Sequence, residues 1–168
     1  MMDPYFRRSV IALCEHNDEG SLGLIINKRL DVTINDLIED FPEFNAHVYY
    51  GGPVQTDTIQ YLHRVGGMLE GSRRISQDVY WGGEYKSLLF LIKNKVIRPD
   101  DVRFFVGYAG WAAGQLDEEI KAGSWMIGDM SANYLFKFAP ESVWEKAVGH
   151  KGPNYQVIAS IPNEMMLN

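Results

Sequence analysis

Cys14 and His16 are the residues whose types most readily suggest chemistry, because a thiolate beside an imidazole makes a working nucleophile and base. They stand two apart in residues 9–16, a run that reads as a strand, so period-two alternation predicts both side chains on one face. Nucleophilic catalysis also needs a third group to orient the base and donors for an oxyanion, and neither has a sequence signature here. A lone cysteine in an apolar strand packs as a small hydrophobe. The pair therefore supports a hydrolase or thiol-dependent enzyme only as the alternative to a binding function, and no catalytic residue is assigned.

The other candidates point to binding. His16, His47, His63 and His150 are scattered, with no His-x-x-x-His and no second cysteine, so neither a metal nor a cofactor is expected. Residues 107–114 read Gly-Tyr-Ala-Gly-Trp-Ala-Ala-Gly at a strand-to-helix position, where a phosphate cradle would sit. The segment has no Lys and carries the bulky Trp111, so it is neither a Walker loop nor a dinucleotide fingerprint. Its glycines serve either to turn the backbone while Tyr108 and Trp111 plug the core, or to form a ligand loop. Glu15, His16, Asn27 and Gln115 lie beside apolar strands or at a helix start, where they need hydrogen-bond partners if buried and line a pocket if not. The candidate binding set is Glu15, His16, Asn27, Gly107, Tyr108, Gly110, Trp111 and Gln115.

The elements that must position these groups follow from periodicity. Residues 9–16 and 22–27 are β-branched or aliphatic runs around Asn17-Asp18-Glu19-Gly20, the signature of a hairpin. Thr33 and Asp36 open a predicted helix with Ile34, Leu37, Ile38 and Phe41 on one face, stopped by Pro42. Strands are predicted over 48–50, 59–65 and 72–81. A helix follows over 84–95, a buried strand over 102–108, and a short amphipathic helix over 115–122 with Asp117, Glu118, Glu119 and Lys121 outward. Ser131 caps a turn carrying Tyr134 to Phe136, and Pro140 opens a last helix with Val143, Trp144, Ala147 and Val148. A hairpin mixed with strand-then-helix units predicts an α/β (α+β) domain with a mixed sheet and packed helices.

Composition fits one domain over residues 1–168. The chain is 46% hydrophobic, 12% aromatic and 23% charged, and at this length it can bury roughly 70% of its unfolded surface. Sixteen Lys and Arg against 22 Asp and Glu give a formal charge of -6, which repels phosphate backbones and argues against direct nucleic-acid binding. The doublets Arg7-Arg8 and Arg73-Arg74 and the group Lys93, Lys95, Arg98 read as solvated faces. Apolar runs fall far short of the roughly 18 residues that cross a bilayer, and the start lacks a signal-peptide pattern. One cysteine suits a reducing compartment, and the cytoplasm is expected.

Four stretches carry a resemblance: DPYFRRSV from Asp3, EHNDEGSLGLIINK from Glu15, YGGPV from Tyr50, and GYAGWAAGQLDEEI from Gly107, with His63 and Trp125 between and after them. In this order, over nearly the whole chain, they resemble the YqgE/AlgH family, some of whose members are described as transcriptional regulators. The resemblance implies a strongly bent, partly barrel-like sheet surrounded by helices and carries no catalytic residues. It leaves a non-enzymatic protein acting through a protein partner or small ligand as the expected function, with a direct DNA-binding regulator ranked last. Arg29 stands where the family usually has Pro, and the tail from Tyr155 departs from the commoner ending. Members also commonly begin with a further strand ahead of the Asp-Pro segment. Without it the hairpin would present an unpaired edge, which predicts homo-oligomers.

Overall fold

The computed structural model describes residues 6–161; the Asp3-Pro4 opening and the tail beyond residue 161 lie outside the described residues. In chain order the elements begin with β1 (Val10–Asn17), β2 (Gly20–Ile25), β3 (Arg29–Thr33), α1 (Ile34–Leu37), β4 (His47–Tyr50) and β5 (Val54–His63). They continue with β6 (Arg73–Ser76), β7 (Val79–Trp81), α2 (Tyr85–Lys93), β8 (Val102–Ala112) and α3 (Gln115–Lys121). Last come β9 (Trp125–Gly128), α4 (Asn133–Phe136), α5 (Pro140–Gly149) and β10 (Val157–Ser160).

The ten strands among the described residues make one open, mixed sheet in the order β6-β7-β5-β8-β2-β1-β10-β9, from which β4 and β3 branch at β8. Every pairing is antiparallel except β4 on β8. The bend has a local origin in Gly107. On one side β8 pairs with β5 from Val102 to Tyr108, with a shift in register around Gly107; on the other it pairs with β4 at Phe104 to Val106 and with β2 from Ala109 to Ala112. Gly107, between these partners, has φ +68, a left-handed conformation that only glycine adopts freely in a strand. A Cβ there would stand 2.2 Å from the carbonyl oxygen of Gly52.

The predicted hairpin forms, with the Asn17 side chain accepting from the Glu19 N–H at 2.9 Å. It is not an edge, however. β10 covers β1 and β8 covers β2, so the unpaired edge expected at this hairpin does not exist.

Other departures have identifiable causes. The helix predicted through Phe41 is a single turn. Its capping box forms, with the Asp36 carboxylate accepting from Thr33 N at 2.8 Å and Thr33 Oγ1 at 3.0 Å, but the backbone is extended at Ile38. Asn35 then serves the loop in place of helical bonds, donating to Phe41 O and Pro42 O and accepting from Phe44 N. This lets Phe41 and Phe44 both meet Phe104 edge-on in the core. The stretch predicted as one strand over 72–81 is a hairpin turning at Asp78, whose φ is +61. β3, β9 and β10 have no counterpart in the sequence pattern. Residues 107–112, read as a loop, continue β8.

Three apolar clusters hold the layers. Val10, Ala12, Cys14, Leu24 and Phe105 pack against Tyr134, Val143 and Trp144 of α4 and α5. Leu88 and Ile92 of α2 join Ile34, Val48, Tyr61 and Phe104. The opposite face of the first hairpin, Ile11, Leu13 and Ile25, packs with Ala109, Trp111, Leu116 and Trp125. Among buried polar groups, His63 donates from Nε2 to Gly82 O at 2.8 Å, and burial lowers its pKa, so it sits neutral inside the fold.

Candidate functional site

A β-bulge decides which side chains of β1 meet. Pairing with β2 runs Ile11 to Leu13 against Ile25 to Gly23, then slips at Cys14, so that Glu15 faces Leu22 and His16 faces Ser21. Cys14 stays in the cluster of Val10 and Ala12, with its thiol on Ala12 O at 3.8 Å. His16 lies on the other face, where its Nδ1 is 2.6 Å from Ser21 Oγ and its ring stacks on Tyr155 at 4.9 Å between centroids. The expectation of a shared face for Cys14 and His16 is therefore wrong. Burial also pushes the Cys14 pKa well up, away from thiolate character.

Past the bulge, Glu15 joins a cleft of about 410 Å³ lined by Glu15, Asn17, Glu19, Gly20, Ser21, Leu22, Val54, Tyr108, Gly110 and Trp111. The register explains the hollow. Leu22 faces Gly110 on β8, and Val54 faces Tyr108 two residues earlier, so the absent side chain of Gly110 opens the space between them. A Cβ at Gly110 would make ordinary contacts, 3.6 Å to Tyr108 and 3.9 Å to Val54. After Val54 the pairing of β5 with β8 is interrupted, with Gln55 at φ +47, and resumes at Ile59. The lining sets the apolar side chains of Leu22, Val54 and Tyr108 beside the carboxylates of Glu15 and Glu19, and the Arg73 guanidinium from β6 reaches Glu15 at 3.2 Å.

The remaining predicted residues divide by place. Glu15, Tyr108, Gly110 and Trp111 line the cleft. Gly107 is a backbone residue of the bend. Asn27 pins the chain ahead of β1, accepting from Val10 N at 2.9 Å and donating to Arg8 O at 2.9 Å. Gln115 accepts from Ala112 N at 2.9 Å and donates to Glu119 at 3.0 Å, closing the turn from β8 into α3.

Glu119, expected outward, is half-buried. Its carboxylate accepts from the indoles of Trp111 at 3.0 Å and Trp125 at 2.7 Å. Its signal lay in the two tryptophans, because a buried indole N–H requires an acceptor. Asn17, Glu19, Ser21, Leu22, Val54 and Arg73 also went unassigned to a site. The hairpin residues carry turn and strand signals that mask any other role, and Arg73 lies 58 positions from Glu15.

Comparison with known proteins places this architecture. A family model described as AlgH-like matches residues 1–156. The chain belongs to the AlgH-like family. A UPF0301 protein of Chlorobium phaeobacteroides is 39% identical over 168 residues, covering 100% of this chain and 90% of the relative. A UPF0301 protein of Chlorobaculum parvum is 41% identical over 162 residues, 96% of this chain and 87% of its own. The solution structure of the AlgH protein from Pseudomonas aeruginosa superposes with a TM-score of 0.74 at 30% identity, covering 92% of this chain and 84% of that one. A Corynebacterium diphtheriae protein at 22% identity shares the fold, with a TM-score of 0.69 over 87% of this chain and 78% of its own. In this AlgH-like chain no three His, Cys, Asp or Glu side chains gather to hold a metal among the described residues, and no helix there is long and apolar enough to cross a membrane.

Proposed function

We propose that this AlgH-like protein is a non-enzymatic binding protein whose cleft takes a ligand, or a partner's side chain, carrying a positive charge on an apolar body. The observation that carries this reading is a lining that sets the apolar side chains of Leu22, Val54 and Tyr108 beside the carboxylates of Glu19 and of Glu15, the latter also paired with Arg73. Such a mixed, concave site buries the body of a ligand while a few polar groups orient it. Asn17 and Ser21 add acceptors for an ammonium or guanidinium. The alternative, an enzyme built on Cys14 and His16, lacks the contact its first step needs. A direct DNA-binding role is opposed by the charge of -6. The cytoplasm remains the compartment this reading favours, since Cys14 has no second cysteine with which to form an internal disulfide.

The test is an amide-shift titration with phenethylamine as cationic probe and phenylacetate as its anionic counterpart. Shifts confined to residues 15–22, 54 and 108–111, for the amine alone, and abolished by Gly110→Val, are the expected result. Equal response to both probes, or an unchanged response in Gly110→Val, would remove the cleft from consideration.

A further inference from the structure

A second surface lies away from the cleft, on α2 and the 3₁₀ turn Gly66–Met68. Among the described residues Phe90 and Met68 are the most exposed large hydrophobic side chains, at 64% and 54% of their full exposure. Together with Lys86, Ser87 and Leu91 they line a groove of about 350 Å³. Lys86, Phe90 and Lys93 fall at i, i+4 and i+7, one face of the helix, so a lysine stands on each side of the exposed ring.

Charge is segregated here. Residues 85–98 hold Lys86, Lys93, Lys95 and Arg98 and no Asp or Glu, in a chain whose net charge is -6. The ion pairs among the described residues involve His16, Arg64 and Arg73, and none neutralises this strip. The adjoining Glu84 carboxylate accepts from Ser87 Oγ at 2.8 Å, which turns it onto its own helix. α2 is meanwhile anchored by Leu88 and Ile92 in the core, so the outer face is presented by a rigid element.

We infer that the groove between α2 and the 66–68 turn docks an acidic segment of a partner protein, an apolar side chain entering between Phe90 and Met68 while flanking Asp or Glu residues meet Lys86 and Lys93. Charge complementarity selects this occupant. A hollow of side-chain size suits an apolar anchor, as helix-in-groove recognition does. A second copy of this chain would bring its own net negative charge but the same basic strip to the face, so like would meet like. An extended polyanion would feel the repulsion of the whole molecule, whereas a short peptide meets mainly the local field within about 8 Å at physiological salt.

The experiment is selection from a random peptide display library against the full chain, repeated with Phe90→Ser and with the double variant Lys86→Glu/Lys93→Glu. All three positions are exposed, so melting curves should be unchanged and report directly if they are not. The expected consensus is one aliphatic or aromatic residue flanked by Asp and Glu. Its synthetic peptide should bind each variant about tenfold more weakly or worse, as loss of a central anchor commonly does. A consensus without acidic residues, one that binds the variants equally, or no enrichment would overturn the inference. So would binding of phosphatidylglycerol vesicles or duplex DNA that the lysine substitutions abolish, since the strip would then serve a polyanion.

Discussion

A methyl group on Gly107 would collide with the backbone of Gly52, while the same group on Gly110 would rest in ordinary contact with Tyr108 and Val54. Gly107 also needs positive φ, and Gly110 does not. Gly107→Ala should therefore destabilise by about 2 kcal/mol or more, combining the left-handed cost with displacement of the Gly51-Gly52 backbone. Gly110→Ala should change stability by less than about 0.5 kcal/mol while narrowing the cleft. Urea denaturation of both variants checks this, and equal losses would mean that Gly110 is structural too. The three glycines of residues 107–114 are alike in sequence, and only the third dimension separates a bend from a binding surface. Cys14 and His16 teach the same lesson. Alternation puts them on one face, but one extra residue at the bulge reverses every side chain after it. No residue type at that place announces the bulge.

At the level of elements, the turn from β8 to α3 is tied by one carboxylate. Glu119 accepts from two indoles and from Gln115, whose own oxygen holds the last N–H of β8. Glu119→Ala leaves both indole N–H groups without their partner, at about 1–3 kcal/mol for each buried donor. The melting temperature should fall by roughly 5–20 °C at about 2–4 °C per kcal/mol for a chain of this size, and tryptophan emission should shift as the cluster of Trp111 and Trp125 loosens. Glu119→Gln keeps an acceptor oxygen and should recover most of the loss. A melting curve unmoved by Glu119→Ala would show that the indoles find other acceptors. Long periodic elements such as β1, α2 and α5 were legible because burial imposes their pattern. β10 was not, since four residues buried on both faces carry no alternation, and β9, also four residues long with Met126 and Ile127 half-buried, is too short to show a period. α1 was over-read for the opposite reason: its apolar spacing is helical, yet Asn35 and Pro42 direct the chain into a loop that delivers Phe41 and Phe44 to the same core.

For the whole molecule, the sheet's edges determine how it meets its own kind. The first hairpin lies inside the sheet, between β10 and β8, so nothing about it invites another strand. β6 ends the path on one side. It is four residues long, irregular between Arg74 and Ser76, and carries Arg73 and Arg74, features that discourage edge pairing. β9 ends the other side with its backbone paired to β10 alone among the named strands. The amides of β1 and β2 should consequently exchange slowly at every protein concentration, because their protection comes from within one chain. Those of β6 should exchange early. If copies associate through strand pairing, the added protection should appear at Trp125–Gly128 of β9 as concentration rises, with β1 and β2 unchanged. Hydrogen exchange from about 1 to 100 μM, spanning the range in which exposed edges associate, distinguishes these outcomes. Protection of β1 or β2 that grew with concentration would mean that β10 does not cover the hairpin in solution, and that the edge inferred from the sequence exists after all.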